Sequence, residues 1–128
     1  MLNRSGITKT TYGNQPQILA NVDLQASVGV IVDAAIGRVS EETGRKIVAA
    51  GTPVHVDFAN LATPAGAESQ GNPTNAVILH DVDVTSGNAN GTALYFGVVN
   101  KARVVDSTVA GWLTPGTNIG NVMVVNIP

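Results

Sequence analysis

Aspartates and histidines in two short stretches are the side chains of this sequence that could do chemistry. Asp81 and Asp83 stand two residues apart, as in the opening of a calcium-binding loop. An EF-hand loop would then need Gly at its sixth position and Glu at its twelfth, where this sequence has Ser86 and Thr92. The pattern fails, so we expect both carboxylates to face solvent along a strand and to discourage edge pairing. A cation site of another kind at these carboxylates is left open.

Each of the two histidines has an aspartate close in sequence: His55 precedes Asp57 by two positions, and His80 precedes Asp81. Imidazole and carboxylate groups are the parts from which metal centres and Ser–His–Asp hydrolases are built. The sequence contains neither Gly-x-Ser-x-Gly nor His-Glu-x-x-His, and it has no cysteine. We therefore expect both histidines to be surface or interface residues, and we expect no catalytic residue, no metal and no cofactor.

Two further features have a structural and a functional interpretation. The glycine-rich stretch Gly87–Gly91 leads into a strand rather than a helix, so it predicts a tight hairpin turn and not a phosphate-binding loop. Trp112 lies in a segment that Asp106 or Ser107 can cap as a short helix and that Pro115 ends. Its ring is either an anchor that pins this helix to a sheet or an interface contact.

The composition excludes several classes of partner. The 128 residues include seven Lys and Arg against nine Asp and Glu, a net charge of -2, and only 12% of the residues are charged. A nucleic-acid-binding protein needs a basic surface, so we expect no nucleic-acid partner. No apolar run approaches the ~18 residues of a membrane span, so we expect no membrane partner. The surface is therefore largely uncharged, or part of it is buried against another protein.

Short β-branched runs and frequent turn signals predict a mainly-β fold with one short helix, a small single-domain barrel or sandwich. In this prediction Val54, Val56 and Phe58 lie on one face of a strand, and residues 60–74 form a long loop. The predicted strands are 27–33, 47–54 with a bend at Gly51 and Pro53 and a continuation to 58, 75–84, 92–99 and 121–127, and the predicted helix is 106–113. Strand 92–99 is expected to pair with strand 75–84 in a β-hairpin.

The first 21 residues predict an extended N-terminal arm, followed by a compact domain over 22–128. The arm is polar with isolated apolar residues, and Pro16 and two glycines interrupt any regular period. About twenty extended residues span roughly 66 to 70 Å. An arm of that reach can leave its own domain and contact a neighbouring molecule.

Two blocks of the sequence resemble a known family. The first is 44–54, GRKIVAAGTPV, and the second is 76–100, in which AVILHDVDVTSGNANGT leads into ALYFGVVN. Together they resemble small head proteins of tailed bacteriophages, the capsid decoration proteins related in fold to the lambda-type head decoration protein. The resemblance covers most of residues 28 to 127. It rests on strand and turn residues and not on a catalytic motif.

The resemblance implies a β-tulip-like domain that forms a homotrimer and is not an enzyme. Such proteins are made in the bacterial host cytoplasm, bind the outer surface of the expanded phage head at threefold and quasi-threefold positions, and cement neighbouring capsomers. The implied partners are this chain itself and the major capsid protein, on which the arm would dock. The implied capsid-binding arm residues are Ile7, Thr10, Tyr12, Pro16, Ile18 and Leu19, and Trp112 is expected in the trimer interface or the core.

Two other classes of function fit the same residues. One is a different phage structural module, such as the base of a head fibre or a tail component. The other is a small oligomeric enzyme or ligand-binding domain, which predicts a deep polar pocket and an activity that is sensitive to changes at His55, His80, Asp81 or Asp83. The low charge favours the decoration protein, because a trimer seated on a shell would bury much uncharged surface against protein.

Overall fold

The computed structural model of the chain describes Ile18 and residues 25–128. These residues have the mainly-β fold with one short helix that the sequence predicts. The strands are β1 (Ala26–Val32), β2 (Arg38–Val39), β3 (Lys46–Val48), β4 (Pro53–Val54), β5 (Ala76–Ile78), β6 (Val82–Asp83), β7 (Ala89–Asn100), β8 (Asn118–Ile119) and β9 (Asn121–Val125), and the helix is α1 (Ser107–Trp112). Within the described residues, no helix is long and apolar enough to cross a membrane.

The strands form two sheets. The larger has the order β4–β5–β7–β9–β8, with β1 also paired to β7, and the smaller has β3 between β2 and β6. The long strand β7 organises the larger sheet, because it pairs antiparallel with β1 and β5 and parallel with β9. This sheet curves into a nearly closed, barrel-like shape, which confirms the predicted architecture.

Both faces of the larger sheet are buried where β5 pairs with β7, and successive residues of these strands enter two different cores. Val77 and Leu94 pair across β5 and β7 and belong to a first core, whereas the next pair, Ile78 and Ala93, belongs to a second core. The buried residues of the first core are Ile18, Ala50, Val77, Leu79, Leu94, Val99, Val104, Val109, Leu113, Ile119, Val122 and Val124. Those of the second core are Val30, Val32, Val48, Val54, Val56, Ala65, Ala76, Ile78, Val82, Val84 and Ala93.

A β-bulge in β7 changes which residues of this strand face the cores. Ser27 pairs with Leu94 but the preceding Ala26 pairs with Phe96, so Tyr95 is an extra residue on β7. Beyond the bulge Val99 is buried in the first core. Phe96 therefore points away from that core and is half exposed.

Helix α1 begins where the sequence predicts. The carboxylate of Asp106 accepts hydrogen bonds from the backbone N–H groups of Thr108 and Val109, which the first turn leaves without a partner inside the helix. Val109 and the following Leu113 are both buried in the first core. The cap and these two apolar side chains fix the helix on the larger sheet.

The segment 47–54 turns at Gly51, where the sequence predicts a bend, but its two halves belong to different sheets and do not form one strand. β3 lies in the smaller sheet and β4 at one edge of the larger. Between them Gly51 has a φ of 98°, a backbone conformation that favours glycine. The N–H of Ala50 donates a hydrogen bond to the carboxylate of Asp81 at 2.8 Å, which holds the chain in the turn between β3 and β4.

Phe58 does not lie on the buried face that the alternation of apolar residues predicts. Val54 and Val56 are buried, but the chain turns after Asp57, whose carboxylate accepts a hydrogen bond from the N–H of Ala59 at 3.0 Å. The turn ends the strand geometry, and Phe58 is 48% exposed.

The predicted pairing of 75–84 with 92–99 is confirmed in its first half only. β5 pairs antiparallel with β7, but the chain then leaves the larger sheet and β6 pairs with β3 in the smaller one. The expected simple hairpin is therefore interrupted by a strand of the other sheet. Residues 60–74 form the predicted loop, which isolated bridges at Ala65, Gly66, Ser69 and Asn72 hold in place.

Candidate functional site

Ile18 is the one residue of the predicted arm that lies among the described residues. Its side chain is fully buried in the first core, and its carbonyl accepts a hydrogen bond from the N–H of Asn100 at 2.9 Å. Burial against its own domain leaves this side chain unable to contact a capsid, so that assignment is wrong for Ile18. The other predicted arm residues lie outside the described residues: Ile7, Thr10, Tyr12, Pro16 and Leu19.

Trp112 does not anchor helix α1, because its ring is 50% exposed while Val109 and Leu113 supply the buried contacts. The ring lines a groove of 580 Å³ that Pro53 of β4 and Ile119 of β8 also line. These two strands are the opposite ends of the larger sheet's strand order, so this Trp112 groove lies where the barrel-like sheet is open. The anchor interpretation is wrong, and the interface interpretation stays a prediction.

The outward side of β7 and β9 is an uncharged face with two large apolar side chains. Phe96 is 51% exposed, and Met123, which lies beside Val98 in the parallel register, is 48% exposed. Asn121 pairs with Phe96 and Asn118 pairs with Met123, so both amides lie on the same side. We call these five residues the β7–β9 face.

A third surface surrounds the ion pair between Arg38 and Asp106. The guanidinium Nη1 lies 2.7 Å from Oδ2 of Asp106, and Nη2 donates to the hydroxyl of Thr108 at 3.1 Å, so β2 is tied to the start of α1. Burial disfavours the charged carboxylate, but hydrogen bonds from Val109, Arg38 and Thr108 and the charge of Arg38 outweigh it and lower the pKa of Asp106. The exposed Val39 and Val105 line the 470 Å³ cavity beside this pair.

The aspartates of the described part have structural roles. In each of five, a carboxylate oxygen accepts a hydrogen bond from a backbone N–H, which fixes a turn or a helix start. The pairs are Asp33 with Ala35, Asp57 with Ala59, Asp81 with Ala50, Asp83 with Thr85, and Asp106 with Thr108 and Val109.

Asp81 and Asp83, the residues of the calcium-like pattern, have different partners. Asp81 holds the turn at Ala50, whereas Asp83 accepts two hydrogen bonds from Thr85 and lies 2.9 Å from Nε of Arg45. The hydroxyl and backbone N–H of Thr85, with the charge of Arg45, lower the pKa of Asp83. Among the described residues, no group of three or more His, Cys, Asp or Glu side chains could hold a metal ion.

Of the two histidine–aspartate pairs flagged in the sequence, the fold places His55 and Asp57 around one cavity. Asp81 lines the separate cavity beside Arg38. Nδ1 of His80 is buried and has no hydrogen-bond partner in the described part of the chain.

Sequence reasoning missed Phe96 and Met123, the two large apolar side chains of the β7–β9 face. For Met123 a signal exists, because it falls between Val122 and Val124, and strand alternation sends the middle residue to the opposite side. For Phe96 no comparable signal exists, because its orientation depends on the bulge at Tyr95.

Comparison with known proteins adds no relative to this description. No family model matches the chain, and neither a curated protein nor a solved structure matches it. A function must therefore be argued from the surfaces of the molecule itself. The candidate surfaces are the β7–β9 face, the Trp112 groove, and the cavities beside Arg38 and His55.

Proposed function

We propose that this chain is a structural virion protein that binds the outside of the expanded phage capsid and cements neighbouring capsomers. It acts as a homotrimer at threefold and quasi-threefold positions. The sequence blocks that resemble capsid decoration proteins support the proposal, since 44–54 contains β3 and β4, and 76–100 forms β5 to β7. The observation that carries it is the β7–β9 face, because a contiguous exposed apolar patch is typical of a protein contact.

The β7–β9 face is suited to contact between copies of this chain. Its five residues are apolar or carry amides, so three copies of the face can meet around a threefold axis without like-charge repulsion. Phe96 and Met123 supply large side chains that become desolvated on contact, which is the main source of binding energy in such interfaces. Closed threefold symmetry would use this surface once in every subunit.

Two surfaces remain for contact with the shell. They are the Trp112 groove and the surface around the ion pair of Arg38 and Asp106, where Val39 and Val105 are exposed. A trimer presents each of them three times, so three weak contacts act together with a much higher effective concentration. A ligand that binds only the assembled shell stabilises it by about RT ln(1 + [L]/Kd) per site. Cementing therefore needs binding alone.

The oligomeric state tests the trimer contact. Light scattering of the purified chain should give about three times the subunit mass of 13.1 kDa. Met123→Asp should give a monomer, because it places a charge in the apolar face. Val105→Asp, a change at a 79% exposed valine away from this face, is the control and should remain trimeric. A monomeric wild-type chain, or a trimeric Met123→Asp variant with a native circular dichroism spectrum, contradicts the proposal.

Binding to heads tests the arm. The full chain and a variant that begins at Ile18 are mixed with expanded heads lacking this protein, and the bound fraction is measured by cosedimentation. The truncation keeps Ile18 because that side chain belongs to the first core. Weaker binding of the truncated trimer is expected, and equal binding would remove the arm from the proposal. Immunogold labelling of tails instead of heads would favour a tail component.

A further inference from the structure

A cavity of 440 Å³ beside β4 has no part in the proposed capsid function. It lies between the chain that follows β4 and the long loop before β5. Its lining residues are His55, Val56, Asp57, Phe58, Thr63, Asn72 and Asn75. Its volume falls within the range of small-molecule sites, about 300 to 1,000 Å³.

The walls of this cavity are fixed by hydrogen bonds. The side-chain oxygen of Asn75 accepts from the N–H of Val56 at 2.8 Å, and its amide nitrogen donates to the carbonyl of Val56 at 3.0 Å. The backbone of His55 is bridged to Gly66 in both directions. A ligand would therefore meet a preformed surface and would not have to order it, which is a condition for useful affinity.

Within the part of the chain that the structure describes, two side chains of the cavity keep hydrogen-bonding capacity free. Nδ1 of His55 lies 2.9 Å from the carbonyl oxygen of Pro73, which can only accept, so Nδ1 carries the hydrogen. In the neutral ring, Nε2 is then an acceptor. Asp57 uses Oδ1 for the N–H of Ala59, and its Oδ2 has no hydrogen-bond partner within the described part of the chain.

Phe58 adds an apolar platform beside these polar groups. Its ring is 48% exposed, and it meets the ring of Tyr95 edge-on, with centroids 5.4 Å apart and planes at 69°. This contact has the edge-to-face geometry that aromatic pairs prefer, so the exposed ring is held in place. Tyr95 itself packs against the second core.

We propose that this cavity binds a neutral carbohydrate of one or two sugar units. Sugar hydroxyls donate and accept, so they match the mixed set of carboxylate, imidazole, amide and hydroxyl groups in the lining. The C–H face of a sugar ring can cover the exposed ring of Phe58. The lining contains Asp57 and, among the described residues, neither Lys nor Arg, which disfavours phosphate and other anions. The inference is independent of the proposed capsid function.

Saturation-transfer difference NMR on the full chain tests this binding. The probes are the methyl glycosides of glucose, galactose, mannose and N-acetylglucosamine, with lactose and maltose as disaccharides. Inorganic phosphate and tetramethylammonium test for an anion or a cation in the same cavity. At least one sugar is expected to bind, and the two ions are expected not to bind. Absence of binding by every sugar in the panel, or binding of tetramethylammonium or phosphate instead, overturns the proposal.

Two variants connect the signal to the cavity. Phe58→Ala and the nearly isosteric Asp57→Asn should each weaken binding by at least about tenfold in Kd. The matched control is Trp112→Ala, which removes an equally exposed aromatic ring from a different groove and should bind as the wild type does. If Phe58→Ala changes the urea midpoint, Asp57→Asn decides the outcome. Unchanged affinity in Asp57→Asn, or equal loss in Trp112→Ala, contradicts the assignment.

Discussion

The turn between β8 and β9 offers a sharp test of how the larger sheet is packed near its open edges. Gly120 in this turn has a φ of 61°. A Cβ at this position would lie 2.7 Å from the carbonyl oxygen of Asn75 and 3.0 Å from its Cα. Asn75 directly precedes β5, so these are backbone atoms of a neighbouring strand that cannot rotate away as a side chain would.

The expected cost of Gly120→Ala has two parts. The left-handed backbone costs a residue with a Cβ about 1 to 2 kcal/mol. The overlap with Asn75 adds about 1 to 3 kcal/mol, the usual cost of inserting a methyl group into a packed region. The free energy of unfolding should therefore fall by about 2 to 5 kcal/mol.

Gly116→Ala is the matched control, because Gly116 has a φ of 85° but no atom within 4 Å of its Cβ position. It should show the backbone cost alone, about 1 to 2 kcal/mol. Urea unfolding followed by circular dichroism gives both values from the midpoints at a shared slope. If Gly120→Ala unfolds at the same midpoint as Gly116→Ala, the close approach of this turn to Asn75 is refuted.

Two further predictions concern the cores and the carboxylates. Leu113→Ala should lower the free energy of unfolding by about 2 to 5 kcal/mol, and Trp112→Ala should lower it less, because Trp112 is half exposed. A lower urea midpoint for Trp112→Ala than for Leu113→Ala would contradict the burial described above. Asp83 and Asp106 have pKa values below their ordinary 3.8, so the stability they contribute is present above the unfolded pKa and is lost as the pH falls through the folded values. Urea midpoints measured from pH 6 down to about pH 2 should fall less steeply in an Asp83→Asn, Asp106→Asn double variant, and parallel curves would contradict this linkage.

Local signals in the sequence predict the elements whose structure is decided locally. β1, α1 and β9 follow from a β-branched run, from a cap at Asp106, and from the alternation in 121–125. The division of 47–54 and 75–84 between two sheets could not be predicted in this way. An apolar run has the same appearance whether it continues or turns into another sheet, and the bond from Ala50 to Asp81 that fixes one of these turns joins distant parts of the chain.

The candidate surfaces are predictable only in part, for the same reason. Ile18 looks like an isolated apolar residue in a polar stretch, and its burial depends on Asn100 at the end of β7. The exposure of Phe96 depends on a bulge that appears only when β1 and β7 are paired. A lone tryptophan on a short helix suggests that its ring is buried in the core. Here the next residue, Leu113, occupies the core instead, and Trp112 is half exposed.

Quantitative mass spectrometry of purified virions tests the proposed function most directly. Virions of the phage that carries this gene are separated into heads and tails, and the amount of this chain is measured against the major capsid protein. The proposal predicts a high, fixed ratio to the major capsid protein in expanded heads, with none in unexpanded heads or tails. Absence of the chain from virions, or its presence in tails alone, would contradict a role in cementing the capsid.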